Sequence, residues 1–159
     1  MAIIDQEIID QKTTSEIVAQ YNARPEMLVQ ILQTIVMRCG WVSQNTIRQL
    51  ADELNLSRAD VHGVVEYYHD FRTEKPGKHI VKICQAEACQ AMGSRALTEH
   101  AKKTLAMSFH DTENDITLEP VYCLGNCACS PAVMINGKTH GRVDPARFNA
   151  LLDDLRGGQ

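Results

Sequence analysis

Six cysteines occur in 159 residues, and five of them fall in two short stretches. Cys84 and Cys89 form a C-x4-C pair in CQAEAC, and Cys123 and Cys127 form a C-x3-C pair in YCLGNCACSP, where Cys129 follows two residues later. Four thiolates suit zinc or an iron-sulfur cluster. Zinc sites usually pinch one tetrahedral ion between C-x2-C pairs, whereas x4 and x3 loops reach around a larger object. The spacing therefore favours a 2Fe-2S cluster over zinc, with a disulfide or unliganded cysteine behind both. No C-x-x-C is present, which argues against dithiol exchange of the thioredoxin kind. A negatively charged cluster asks for backbone N–H donors and close backbone approach, which Gly93 and Gly125 are expected to permit, while Pro131 stiffens the exit of the second loop.

The remaining candidates have plainer readings. Cys39 ends an apolar helix face and reads as a small buried hydrophobe. Cys129 reads as a neighbour of the cluster ahead of a ligand that swaps with Cys127. The histidines His62, His69, His79, His100, His110 and His140 are scattered, and none is spaced from a cysteine as a recurring ligand pair. Tyr67, Tyr68 and Phe71 read as core or docking aromatics.

The elements that must position the cysteines follow from periodicity and turn chemistry. Up to about residue 70 the pattern is helical. An early helix is predicted over Thr14 to Tyr21. In PEMLVQILQTIVMRCG, Pro25 suits a first helical position, Met27, Leu28, Ile31, Leu32, Ile35, Val36 and Cys39 share one face, and Gly40 stops the run. A further helix is predicted over Asn45 to Leu54, with Ile47, Leu50, Ala51 and Leu54 inward. Another opens at Ser57, capped with Asp60 in its first turn, and runs through Val61, Val64, Val65 and Tyr68. Pro76 and Gly77 break this pattern, which sets domains at 1–72 and 73–159. Beyond the break, strands are predicted over 79–83 and 116–122, a loop and then a helix over Ser94 to Leu105, a hairpin at Asn136-Gly137, and a closing helix from Asp144-Pro145 through Leu155. Each cysteine pair then sits where a strand hands over to a loop. The fold class is α/β: a helical N-terminal region, then β-α-β-β-β-α.

Composition is globular, with 44% hydrophobic and 23% charged residues, and the N-terminal MAIIDQEIIDQK carries acids where an export signal carries Lys or Arg. No apolar run approaches the ~20 residues of a membrane-spanning helix, so a cytoplasmic protein with reduced thiols and no membrane insertion is expected. The net charge of −4 argues against bare nucleic acid as a partner. The stretch TIRQLADELNLSRADVHGVVEYY is patterned like a helix-turn-helix, which leaves an iron-sulfur DNA-binding regulator as an alternative. Residues 1–72 nevertheless hold ten acids against six bases, and only Arg58 and His62 are placed to read bases.

Taken together, CQAEAC, YCLGNCACSP, VMINGK, VVEYYHDF and EKPGKH resemble the thioredoxin-like 2Fe-2S ferredoxin subunits of NAD-linked redox complexes, over about residues 13 to 155. That family includes the small peripheral-arm subunit of respiratory complex I, the diaphorase subunit of NAD-reducing hydrogenases and the gamma subunit of NAD-dependent formate dehydrogenase. CQAEACQAMGS and CLGNCACSP look most like the last. Complex I members usually have a small residue and Thr or Ser where Ala86, Glu87 and Ala88 stand, and Gly where Ala128 and Cys129 stand. The resemblance implies a helical N-terminal bundle followed by a thioredoxin-like domain. It implies one 2Fe-2S cluster, with Cys84 and Cys89 on one iron and Cys123 and Cys127 on the other. It further implies electron transfer without turnover by this chain alone. The implied neighbours are a subunit holding FMN and the NAD site and a larger formate dehydrogenase chain with molybdenum or tungsten. Membership of complex I or of a hydrogenase diaphorase is the alternative.

Overall fold

The computed structural model describes residues 2–157, with side chains described from residue 11 onward. Most of the side chains on which the export reading of MAIIDQEIIDQK rests lie outside the described residues. The chain divides into two compact units, 1–75 and 76–159.

The first unit is helical. Helix α1 spans Ala2–Gln20, α2 Leu28–Cys39, α3 Gln44–Glu53 and α4 Arg58–Tyr67. The first of these extends well ahead of the predicted Thr14, and Thr14, Ile17 and Val18 are buried on it. Pro25–Met27 forms a separate 3-10 turn leading into α2, so the proline starts a turn and not the helix itself. Leu28, Ile31, Leu32 and Ile35 of α2 pack with Ile47, Leu50 and Ala51 of α3 and with Leu54, Val61 and Val65 in one core. Burying each such aliphatic side chain contributes roughly 1.5–3 kcal/mol.

Ser57 and Asp60 make a reciprocal capping box at the start of α4. At the other end the helix stops at Tyr67, short of the predicted Tyr68, which takes extended backbone and is 41% exposed. Tyr67 is exposed as well, its ring edge-on to Tyr68 at 5.1 Å, whereas Phe71 is buried.

The second unit is built on a sheet of order β2-β3-β1-β4-β5. Its strands are β1 (His79–Cys84), β2 (Thr112–Glu113), β3 (Ile116–Val121), β4 (Val133–Ile135) and β5 (Lys138–His140), and its helices are α5 (Glu87–Ala91), α6 (Ser94–Leu105) and α7 (Pro145–Gly157). Of these elements, α5 falls in a stretch predicted as a loop, and β2 in one for which no element was predicted. Only β1 and β3 run parallel; the other neighbours are antiparallel.

Val81 and Ile83 of β1 alternate with Lys82. They join Leu97, Ala101, Leu118, Val133, Ile135, Phe148 and Leu152 in a second core beneath α6 and α7. On the opposite side of the pleat, Lys82 and Glu119 stand in register and pair at 3.4 Å. Pro120 fits inside β3 because β2 pairs only with residues 116 and 117, so no ladder bond is demanded on its open side. The hairpin turns at Asn136-Gly137, and α7 is capped by Asp144, whose Oδ1 accepts the Arg147 N–H at 2.7 Å. Among the described residues, no helix is long and apolar enough to cross a membrane.

Candidate functional site

The parallel pairing of β1 and β3 decides where the cysteines go. In register, Cys84 lies opposite Val121, so β1 ends on Cys84 and β3 ends two residues before Cys123. Val133 of β4 pairs with Ile83, which brings the segment entering β4 back to the same end of the sheet. Both cysteine loops therefore leave one end of the sheet, and the 127–129 turn returns to it. The separation of 33 residues between the pairs is taken up chiefly by α6 and the β2–β3 hairpin.

The first loop is held from below. Ser94 Oγ, at the start of α6, donates to the Cys84 carbonyl. Gln85 Nε2 donates to Thr98 Oγ1 at 2.9 Å, and Gln90 Nε2 returns to the Gln85 carbonyl at 2.6 Å. Helix α5 is a single turn that places Cys89 beside Cys84. Both are 2% exposed and share a small apolar cluster with Ala132, beneath Ala86, Val121 and Leu124.

The second loop is open. Cys123 and Cys127 are exposed, Cys129 is half-buried, and no disulfide is formed among the described residues. Cys127–Cys129 is one 3-10 turn. The Cys129 carbonyl accepts the Arg142 N–H at 2.6 Å, and the Pro131 carbonyl accepts the Val143 N–H at 3.0 Å, which fastens the turn to the segment after β5.

Backbone N–H groups converge on the sulfurs. Ala86 and Leu124 direct theirs at Cys84, Ala132 at Cys89, and Gly125 at Cys123 with N···Sγ 3.3 Å. Burial pushes the Cys84 thiol up, against the pull of those two donors. At Cys89 burial acts the same way, but Ser130, Cys84 and the Ala132 N–H outweigh it and hold the thiol below its usual range.

Gly93 and Gly125, expected to permit close backbone approach to a cluster, are not crowded by other protein atoms. Nothing lies within 4 Å of a Cβ built on either, and both sit at positive φ, +98° and +68°. Close approach occurs instead at Gly141, against Cys129 and Asn126. Sequence reasoning passed over Ser94, Ser130 and Gly141. The serines follow or join the cysteine motifs, but a glycine after a hairpin carries no local sign of what it faces.

Among the described residues, no three His, Cys, Asp or Glu side chains are gathered closely enough to hold a single metal ion. The donor chemistry fits an iron-sulfur cluster: sulfur ligands on two loops at one sheet end, with amide protons aimed at sulfur, the arrangement by which proteins stabilise such a group.

Comparison with known proteins agrees in scope and in chemistry. The sequence profile of the thioredoxin-like 2Fe-2S ferredoxin family matches residues 14–156. The chain is 32% identical over 127 residues to one subunit of the NADH-quinone oxidoreductase of Pseudomonas aeruginosa, covering 79% of this chain and 76% of that one. It is 30% identical over 142 residues to the like-named NADH-quinone oxidoreductase subunit of Buchnera aphidicola subsp. Baizongia pistaciae, covering 88% and 83%. Among solved structures, an NAD+-reducing NiFe hydrogenase in the air-oxidized state superposes with TM-score 0.69 at 21% identity. The match covers 83% of this chain and 23% of that one, and it speaks to the fold alone. With the family profile spanning nearly the whole sequence, the chain belongs to the thioredoxin-like 2Fe-2S ferredoxin family.

Proposed function

We propose that this chain is the one-cluster electron carrier of an NAD-linked oxidoreductase complex, its 2Fe-2S cluster held by Cys84 and Cys89 on one iron and by Cys123 and Cys127 on the other. The observation that carries this reading is the convergence of both cysteine pairs on one sheet end, with backbone N–H groups directed at three of the four sulfurs. A bound cluster would accept and release single electrons there. The chain's own contribution is positional. Cys84 and Cys89 keep one side dry, and exposed Cys123 and Cys127 turn the other towards solvent and a docked partner.

The partner in this reading is a subunit holding FMN and the NAD site, which performs hydride transfer while this chain carries electrons; the assembly is cytoplasmic. Two memberships are supported by different observations. The curated relatives favour the small subunit of NADH-quinone oxidoreductase, and the hydrogenase fold match is compatible with a diaphorase. The loop residues Ala86, Glu87, Ala88, Ala128 and Cys129 favour the gamma subunit of formate dehydrogenase. The sequence relatives carry more weight, because they span most of the chain.

Affinity capture of the chain at its native level, with identification of the chains and cofactors that come with it, tests the reading. An FMN-bearing partner is expected in either case. Membrane-arm chains then indicate NADH-quinone oxidoreductase, and a molybdenum- or tungsten-containing chain indicates formate dehydrogenase. Recovery of DNA and no flavin would overturn the reading. The exposed face of α4 argues against that outcome: Asp60 is committed to the cap and His62 pairs with Glu66 at 3.8 Å, so no basic stripe is presented.

A further inference from the structure

Ser130 lies between the two cysteine loops and belongs to neither pair. It is 7% exposed. Its hydroxyl donates to the Cys127 carbonyl at 2.8 Å and stands 3.5 Å from the Cys89 sulfur, which comes from the other loop. A hydroxyl has one proton and two lone pairs, so it cannot donate to both. With Cys89 as a thiol, a chain runs from the Cys89 S–H to Ser130 Oγ and from the Ser130 O–H to the Cys127 carbonyl.

That chain breaks when Cys89 binds metal, because the ligand is a thiolate whose proton has gone to solvent. An unrotated hydroxyl would then hold a lone pair against an anionic sulfur in a buried place. Rotation about the Cβ–Oγ bond turns the O–H to sulfur instead. Hydrogen bonds to ionised acceptors are roughly twice as strong as neutral ones, so the sulfur outcompetes the carbonyl. Nor is the carbonyl stranded, since it also accepts the Ser130 N–H at 3.3 Å.

We infer that Ser130 is a positioning residue whose hydroxyl switches from the Cys127 carbonyl to the Cys89 sulfur when the cluster is bound, and that this bond raises the reduction potential. The inference rests on the ligand set proposed above. Reduction adds negative charge that is shared with the ligand sulfurs, so a donor at Cys89 stabilises the reduced form more than the oxidised one.

The test is a redox titration of the iron-loaded chain, followed by EPR, for wild type, Ser130→Ala and Ser130→Thr. Ser130→Ala should titrate at lower potential by about a tenfold change in the reduction equilibrium, 59 mV for a one-electron couple. Ser130→Thr, which keeps the hydroxyl, should restore the wild-type value, with iron content equal in all three. An intact cluster in Ser130→Ala at the wild-type potential would overturn the switch, as would an equal shift in Ser130→Thr. If Ser130→Ala does not keep its cluster, Ser130→Gly decides by the same titration, because it removes the hydroxyl without demanding space. A wild-type chain with no 2Fe-2S signal would instead sink the proposed ligand set, and the switch with it.

Discussion

A Cβ built on Gly141 would lie 2.6 Å from the Cβ of Cys129 and 2.8 Å from its carbonyl oxygen. The segment after β5 therefore lies directly on the turn that carries Cys127 and Cys129. This gives Cys129 a structural part: its backbone is the surface against which the hairpin closes, secured by the Arg142 N–H.

Gly141→Ala should force these segments apart at a cost of about 1–3 kcal/mol, the usual range for overpacking a fitted contact. Chemical denaturation of the iron-free chain measures the loss. Iron retention by the variant should fall as well, because the displaced turn carries Cys127. A variant with unchanged stability and iron content would show that the contact relaxes freely.

Substitution of the cysteines should divide them into two groups. Changing Cys84, Cys89, Cys123 or Cys127 to Ala should abolish the normal cluster, seen as lost visible absorbance and lost EPR signal after reduction. Cys129→Ala keeps the Cβ that meets Gly141, so the turn should persist and the cluster remain, with an altered potential. Equal loss in Cys129→Ala would overturn the proposed ligand set.

Much of the scaffold was legible in the sequence, for local reasons. Ser57 and Asp60 announce their capping box by spacing and Asn136-Gly137 its hairpin, and the ends of α6 fall where predicted. The single turn of α5 was hidden because five residues are too few to show a helical period, and β2 has only two. The difference between buried Cys84 and Cys89 and exposed Cys123 and Cys127 was hidden too, since paired cysteines look alike in both loops. It arises from the strand order, which depends on contacts between distant residues. The N–H groups aimed at sulfur come from backbone direction, which residue types alone do not reveal.

The hairpin should depend on the Asn136 side chain more than its turn position implies. Its Oδ1 accepts the Ile80 N–H at 2.9 Å, and Asn136 itself sits at φ 49°. Asn136→Ala loses that bond and incurs the strain of left-handed backbone, together about 2 kcal/mol. Asn136→Gly loses the side-chain contacts with Ile80 and His79 but not the backbone fit, and should recover about half of the loss in denaturation experiments. Equal stability of the two variants would contradict the assignment of the cost.

Acid should weaken the fold partly through His140. Burial holds its pKa below the ordinary 6.5, reinforced by Lys138 on the same strand and Arg147 on α7. The unfolded chain therefore takes up this proton more readily, so stability is greatest above about 6.5 and falls as pH drops through that value. His140→Gln should flatten this part of the stability curve relative to wild type. Identical slopes between about pH 7 and 5 would rule His140 out as a contributor.

What the two cysteine loops hold decides between electron transfer and every other role for this chain. Iron and acid-labile sulfide analysis of the purified chain, paired with low-temperature EPR before and after reduction, is the direct measurement. Two irons and two sulfides per chain are expected, silent when oxidised and giving a single-electron signal when reduced. Zinc in place of iron, with no signal in either state, would contradict it.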